Sequence, residues 1–308
     1  MKTSSKNKEE KMSITGFIFG RMAGKSDKKR DANLVFPESV EAIRDINYGG
    51  NHDVYNNLDI YYPKGTDGKL PVIVSYHGGG YVYGTKEIYQ HYGAYMASKG
   101  FVFVNFNYHL APKYKYPTQL TEANMVFQWM VKNGEEYHMD LDNVFVVGDS
   151  AGAQMISQYM AIYSNKEYAK LFPFEVPKGF CIRAAGLNCG MYSVPTGDLE
   201  KMDRFHRDLM RDYMGKDIEK FAAMNDVLGN ITSDYPPCYI MTSEYDFLKE
   251  NAKPMYDFLQ SKGVEAQWKC YGTPEKEYMR HVCHVNMNLE EAKEINDDEV
   301  AFFLSKKK

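Results

Sequence analysis

Two stretches of this chain combine residue types and spacing that could do covalent chemistry: Gly148-Asp149-Ser150-Ala151-Gly152 and His77-Gly78-Gly79-Gly80. In the first, a serine stands between a short apolar run (residues 143–147) and a helical pattern that puts Ala153, Ile156, Met160 and Tyr163 on one face. A serine on so sharp a strand-to-helix turn needs small neighbours, which Gly148 and Gly152 supply, and it sits at the positive end of a helix. The chemistry is nucleophilic attack on a carbonyl carbon. A bare G-x-S-x-G is a weak signal; the strand–turn–helix setting lifts it above a plain N-cap serine.

The glycine run follows another apolar stretch, residues 70–76. With side chains absent, backbone N–H groups can approach a reacting carbonyl oxygen and meet the negative charge that develops on it. One such donor contributes roughly 2.7–4 kcal/mol in the transition state. The expected oxyanion hole is built from the amides of Gly78, Gly79 and Ala151, with His77 shaping the loop and not acting as a base. Tyr81 and Tyr83, just past the glycines, are expected substrate-binding walls, although ordinary packing would explain them equally well.

The elements that must position these residues read as strands alternating with helices. Residues 43–48 and 58–62 form a meander, and 70–76 and 101–106 are continuous apolar runs of the kind buried inside a parallel sheet. Strands at 143–147, 179–187, 238–242 and 266–271 follow, with helices over 121–131, 251–262 and 290–305. The alternation means βαβ units and a mostly parallel sheet wrapped by helices. Residues 198–229 break it with a charged helical insertion carrying Phe205, Leu209, Tyr213, Phe221 and Met224, expected over the carboxyl ends of the strands. Residues 1–35 are lysine-rich around an apolar patch at 14–22, either a frayed tail or an amphipathic lid helix.

The two motifs, in this order, resemble the hormone-sensitive-lipase-like group of α/β-hydrolase carboxylesterases. Asn107-Tyr108-His109-Leu110-Ala111-Pro112-Lys113, with Tyr116-Pro117, is similar to that group's Y-R-L-A-P-E…P segment. His109 replaces its Arg and Lys113 its Glu, which removes an ion pair behind the site. Tyr213-Met214-Gly215 and Pro236-Pro237-Cys238-Tyr239-Ile240 also match, so the similarity runs from about residue 57 to the end of the chain. The resemblance implies an α/β-hydrolase fold with a mostly parallel eight-stranded sheet, one domain over 1–308, and cap segments at about 1–40 and 196–232.

Chain order in that fold is serine, acid, histidine. Of the eight histidines, His206, His281 and His284 follow Ser150, and His206 lies in the insertion. The base is therefore His281 or His284; the group's H-G-F segment aligns with His281-Val282-Cys283 and favours His281. The acid is Asp246, in Ser243-Glu244-Tyr245-Asp246-Phe247-Leu248, which resembles a G-E-x-D-x-L loop, with Glu244 a distant second.

The remaining features narrow the function class. At 308 residues, 44% hydrophobic and 25% charged with net charge −4, the chain matches a globular enzyme better than a nucleic-acid binder. No stretch approaches the ~20 apolar residues of a membrane span. Glu9, Glu10, Gly16, Gly20 and Arg21 argue against a secretory signal, and five widely spaced cysteines with no C-x-x-C fit reduced cytoplasmic thiols. His281, Cys283 and His284 are too close together to spread around a metal. The expected protein is a cytoplasmic serine esterase of small acetyl-like esters, with no metal or cofactor, no nucleic-acid partner, and self-association left open. A non-catalytic small-ligand receptor and a serine peptidase on the same fold are the alternatives.

Overall fold

Leu70-Pro71-Val72-Ile73-Val74-Ser75-Tyr76 is apolar on both faces of its pleat, which suits a strand covered on both sides. In the computed structural model, which describes residues 11–192 and 202–308, this segment is β3 (Leu70–Tyr76), buried from Pro71 onward. The other strands are β1 (Val40–Asn47), β2 (Asn57–Pro63), β4 (Val102–Phe106), β5 (Met139–Asp149), β6 (Ile182–Asn188), β7 (Cys238–Ser243) and β8 (Ala266–Tyr271). They form one eight-stranded sheet in the order β1-β2-β4-β3-β5-β6-β7-β8. The pairs β1–β2 and β2–β4 are antiparallel, and every later pair is parallel.

Helices α1 (Ile14–Asp31), α2 (Gln90–Ser98), α3 (Thr118–Asn133), α4 (Ala151–Ser164), α6 (Arg204–Met214), α8 (Ala252–Ser261) and α9 (Glu290–Lys306) complete the chain, with single turns α5 (Lys166–Ala169) and α7 (Ala222–Asn225). Alternate residues of the central strands feed two cores. Val72, Val74 and Val146 pack with Phe127 of α3 and Ile156 of α4, while Ile73, Phe145 and Val147 pack with Met96 of α2 and Phe303 of α9. Each such side chain, fully withdrawn from water, contributes about 1.5–3 kcal/mol.

Two local differences from the sequence-based expectations have physical causes. Helix α2 was not expected because Gly93 and two tyrosines, Tyr92 and Tyr95, dilute its apolar period. Gly93 lies so close to the Phe103 ring that a Cβ there would come within 2.6 Å of it, so tertiary packing and not propensity holds this helix. Strand β5 starts at Met139, four residues before its apolar stretch, because Leu70 and Pro71 pair with Met139 and Asp140 ahead of a register shift.

The amino-terminal patch is a helix. Ser13 caps α1 by accepting from Gly16 N–H at 2.9 Å. Its own N–H and hydroxyl donate to Asp212 of α6 at 3.0 and 2.7 Å. Thr15 donates to Asp208, and Phe19 meets Phe205 edge to face at 5.5 Å. Thus α1 and α6 are joined to each other above the carboxyl ends of the strands. Residues 1–10 and 193–201, which include parts of the expected cap segments, lie outside the described residues. Among the described residues no helix is long and apolar enough to cross a membrane.

Candidate active site

Parallel register decides what meets at the carboxyl edge of the sheet. Tyr76 pairs with Gly148, Asp149 with Asn188, Asn188 with Met241, and Ser243 with Tyr271. The segments that leave these strand ends carry the glycine run, Ser150, Asp246 and His281. Gly78, Gly79, Gly80, Ser150, Ala151 and His281 line one cavity of about 220 Å³.

Ser150 occupies the turn between β5 and α4 with φ 54° and ψ −117°, a conformation a non-glycine residue rarely holds and one that costs of order 1–3 kcal/mol. The turn is tight because α4 is pressed against β3: a Cβ on Gly152 would lie 2.1 Å from the Tyr76 carbonyl oxygen. The Ser150 N–H donates to Asn188 O at 3.0 Å, while its hydroxyl makes no capping bond.

The expected acid and His281 are brought together by an isolated parallel bridge between Tyr245 and Arg280, which sets the next residue of each segment side by side. His281 Nδ1 donates to Asp246 Oδ1 at 2.6 Å. Asp246 also accepts from the Thr242 hydroxyl at 2.8 Å and the Leu248 N–H at 2.9 Å. Burial pushes this carboxyl up, but these donors and the adjacent imidazole outweigh it and hold it below the usual carboxylate range. Phe247 packs on the imidazole with ring centroids 4.2 Å apart. His284 is elsewhere: it is buried edge to face against Tyr92, and burial lowers its pKa to about 3.

The glycine loop needs one correction. The Gly78 N–H donates to the Tyr89 hydroxyl at 2.9 Å, and that hydroxyl donates to Asp149 Oδ1 at 2.7 Å. Gly78 therefore ties its loop to the residue before Ser150 and has no amide proton left for a ligand. Among the described residues, no acceptor meets the N–H groups of Gly79, Gly80 or Ala151. His77 stacks on Tyr108 at 4.0 Å, is fully buried, and has its pKa lowered to about 4 by that burial. Tyr81 and Tyr83 both border the cavity. The Tyr81 ring lies flat on Tyr213 at 3.7 Å with its hydroxyl on Gln154, whereas the Tyr83 hydroxyl donates to Asp27 of α1.

His109 recovers the pairing expected to be lost behind the site. Its two ring nitrogens meet Glu122 and, at 3.1 Å, Asp53.

Beneath the serine, Asn188 Nδ2 donates to Glu299 Oε1 at 2.9 Å and the Tyr92 hydroxyl donates to Oε2 at 3.1 Å. Burial raises the Glu299 pKa from 4.5 to about 7. The folded protein thus holds this proton more tightly than the unfolded chain. The resulting stability is fully present below about pH 4.5 and is lost as pH rises through about 7. Glu299→Gln is expected to flatten the loss of stability between about pH 4.5 and about 7, by up to about 3 kcal/mol. Thermal unfolding across pH checks this, and identical slopes for the variant and the native chain would contradict it.

Cys189, Asp246 and His281 place one potential metal donor each within 4.8 Å of one another, and no other such group occurs among the described residues. Two of the three already share the hydrogen bond described above. The trio weighed from the sequence does not converge, since His284 points to Tyr92.

Several cavity residues stand outside the site residues expected from the sequence. Tyr89 lies eleven positions beyond Gly78 and carries no motif. Phe19, Ala23, Asp27 and Arg30 come from one face of α1, and Phe205, His206 and Leu209 from α6. For α6 the apolar spacing of the insertion was the available signal; for α1 it was the apolar patch at 14–22.

A family model described as alpha/beta hydrolase fold matches residues 73–280. Curated relatives include an alpha/beta hydrolase of Acanthamoeba polyphaga mimivirus, described there as putative, 27% identical over 77% of this chain and 74% of that one. A carboxylesterase of Mycobacterium tuberculosis, NlhH, is 27% identical over 76% of this chain and 73% of its own. Among solved structures, esterase B from Lactobacillus rhamnosis superposes with a TM-score of 0.85 at 23% identity, covering 94% of this chain and 93% of that one.

Proposed function

The chain belongs to the α/β-hydrolase fold family, in its hormone-sensitive-lipase-like group, and from that premise we propose that it is a serine carboxylesterase acting on small esters with short, acetyl-like acyl groups. The observation that carries this reading is the 2.6 Å bond between His281 Nδ1 and Asp246 Oδ1, with His281 on the same cavity as Ser150 and the glycine loop.

In this mechanism Ser150 Oγ attacks the ester carbonyl carbon while His281 Nε2 takes its proton. The carbonyl oxygen becomes an oxyanion received by the N–H groups of Gly79, Gly80 and Ala151. Asp246 fixes the imidazole tautomer and stabilises the imidazolium without taking the proton. The tetrahedral species collapses, the C–O bond breaks, and the alcohol leaves with the proton from His281. Water then repeats the sequence on the acyl-Ser150 ester and releases the acid. Helices α1 and α6 act as the cap. A cavity of about 220 Å³ is smaller than the ~300–1,000 Å³ typical of drug-sized ligands, which supports a short acyl group.

Hydrolysis of chromogenic esters from acetyl to decanoyl tests both parts. The expected result is a kcat/KM that falls by at least about tenfold toward the long chains, with a serine-reactive phosphonate forming its adduct on Ser150. Preference for long chains would overturn the acyl assignment. An unmodified Ser150 together with no hydrolysis would favour a non-catalytic ligand receptor.

A further inference from the structure

We propose that the outward face of α1 docks the protein onto anionic lipid surfaces. A helix that covers a cavity needs one apolar face, and α1 has two. At about 100° per residue, Phe19, Ala23, Ser26, Asp27 and Arg30 share the side that lines the cavity. On the opposite side Ile14, Phe17, Ile18 and Met22 stand in solvent with 73%, 59%, 50% and 67% of their surface exposed. Arg21, Lys25, Lys28 and Lys29 continue that same outer arc toward the carboxyl end, exposed and with no carboxylate partner among the described residues. The outer face therefore reads as an apolar half-turn set followed by a basic one.

Charge selects the occupant. Residues 1–30 hold nine Lys or Arg against three Asp or Glu, a net of +6 in a chain whose total is −4, so the remainder carries −10. Five of these nine cations lie on α1, the element that exposes the apolar side chains. A surface helix of this composition lies in the headgroup region, its apolar side chains entering the acyl boundary and its lysines meeting anionic headgroups. The helix is presented already folded, since Ser13 and Thr15 tether it to Asp212 and Asp208 of α6, and its Asp27 accepts from the Tyr83 hydroxyl. Docking costs little ordering, and it sets the roof of the cavity against the lipid. The inference concerns the outer face alone and stands whether or not the esterase reading holds.

Flotation of the full chain with phosphatidylcholine vesicles, with and without about one-third phosphatidylserine, tests it. Binding to the anionic vesicles is expected to be at least about tenfold tighter than to the neutral ones and to weaken with added salt. Phe17→Glu/Ile18→Glu and Lys25→Glu/Lys28→Glu/Lys29→Glu are each expected to remove it. Both should leave the thermal unfolding midpoint and hydrolysis of a soluble ester unchanged, because none of the five side chains borders the cavity. Absence of vesicle binding, or equal binding to neutral vesicles, would overturn the proposal. So would self-association that Phe17→Glu/Ile18→Glu abolishes in a chain that ignores vesicles, which would assign the face to a second copy.

Discussion

Ser150→Ala is expected to lower kcat/KM for a short-chain ester by about 10⁵-fold or more, and His281→Ala by a similar factor. The double variant should be no worse than either single one, because the two groups act as a unit in one proton transfer. Asp246→Asn should cost about 10⁴-fold for a different reason. The Thr242 hydroxyl still anchors the side chain at Oδ2, but Oδ1 accepts from both His281 Nδ1 and the Leu248 N–H, so an amide nitrogen in that position also loses the Leu248 bond. An amide facing His281 Nδ1 can present N–H where the carboxylate presented only oxygen. The imidazole then turns to the tautomer with its proton on Nε2, and that nitrogen can no longer accept from Ser150. His284→Ala is expected to change stability and leave kcat within a few-fold, since His284 packs on Tyr92 inside the core. Steady-state rates with matched thermal midpoints decide this. A dead His284→Ala beside an active His281→Ala would move the base. Because Asp246 is held below the usual carboxylate range, loss of activity on mild acidification should not originate from its protonation.

How much of this arrangement was legible in the sequence depends on how local the constraint is. Ser150 sits in a turn whose close approaches demand small residues at fixed offsets, so its motif is written within five positions. Asp246 and His281 each stand one residue past a strand-like bridge, but that bridge joins segments 35 residues apart, and only chain order and a family rhythm pointed to them. Gly78 shows the limit. Three glycines announce a loop where backbone approaches something closely, yet not which amide remains free. Tyr89, eleven residues on, takes the Gly78 N–H because the chain folds back in the turn just before α2 and sets its hydroxyl between Gly78 and Asp149. Helix α1 was ambiguous for a related reason. With apolar side chains on both faces its period is blurred, and the same blurring marks its outer face as a surface with something to meet.

The glycine loop carries the second large effect. Gly79 has φ 113°, and a Cβ there would fall 2.0 Å from the Tyr83 carbonyl oxygen, which is backbone and cannot swing aside. Gly79→Ala is therefore expected to displace the whole 79–83 turn, in which Val82 and Tyr83 N–H both donate to the Gly79 carbonyl. Removing one donor from the developing oxyanion should lower kcat by about 10²–10³-fold, and the strained backbone should cost about 2–4 kcal/mol of stability. Gly80→Ala makes the informative contrast. Its Cβ would meet Leu209 Cδ1 at 3.0 Å and Phe19 Cε1 at 3.3 Å, the ends of side chains from α6 and α1 that can give way. That variant should lift the cap more than it disturbs the hole, raising KM by several-fold while kcat falls less than in Gly79→Ala. Gly78→Ala differs again, since its Cβ would press on the Asp149 carboxylate at 2.4 Å and break the tie through Tyr89. Tyr89→Phe breaks the same tie without adding bulk, leaving the Gly78 N–H buried and unpaired, and should reproduce the stability loss of Gly78→Ala with a smaller fall in kcat. If Gly79→Ala kept kcat within about threefold while losing stability, the turn would be structural and the oxyanion would have to be held by Gly80 and Ala151 alone.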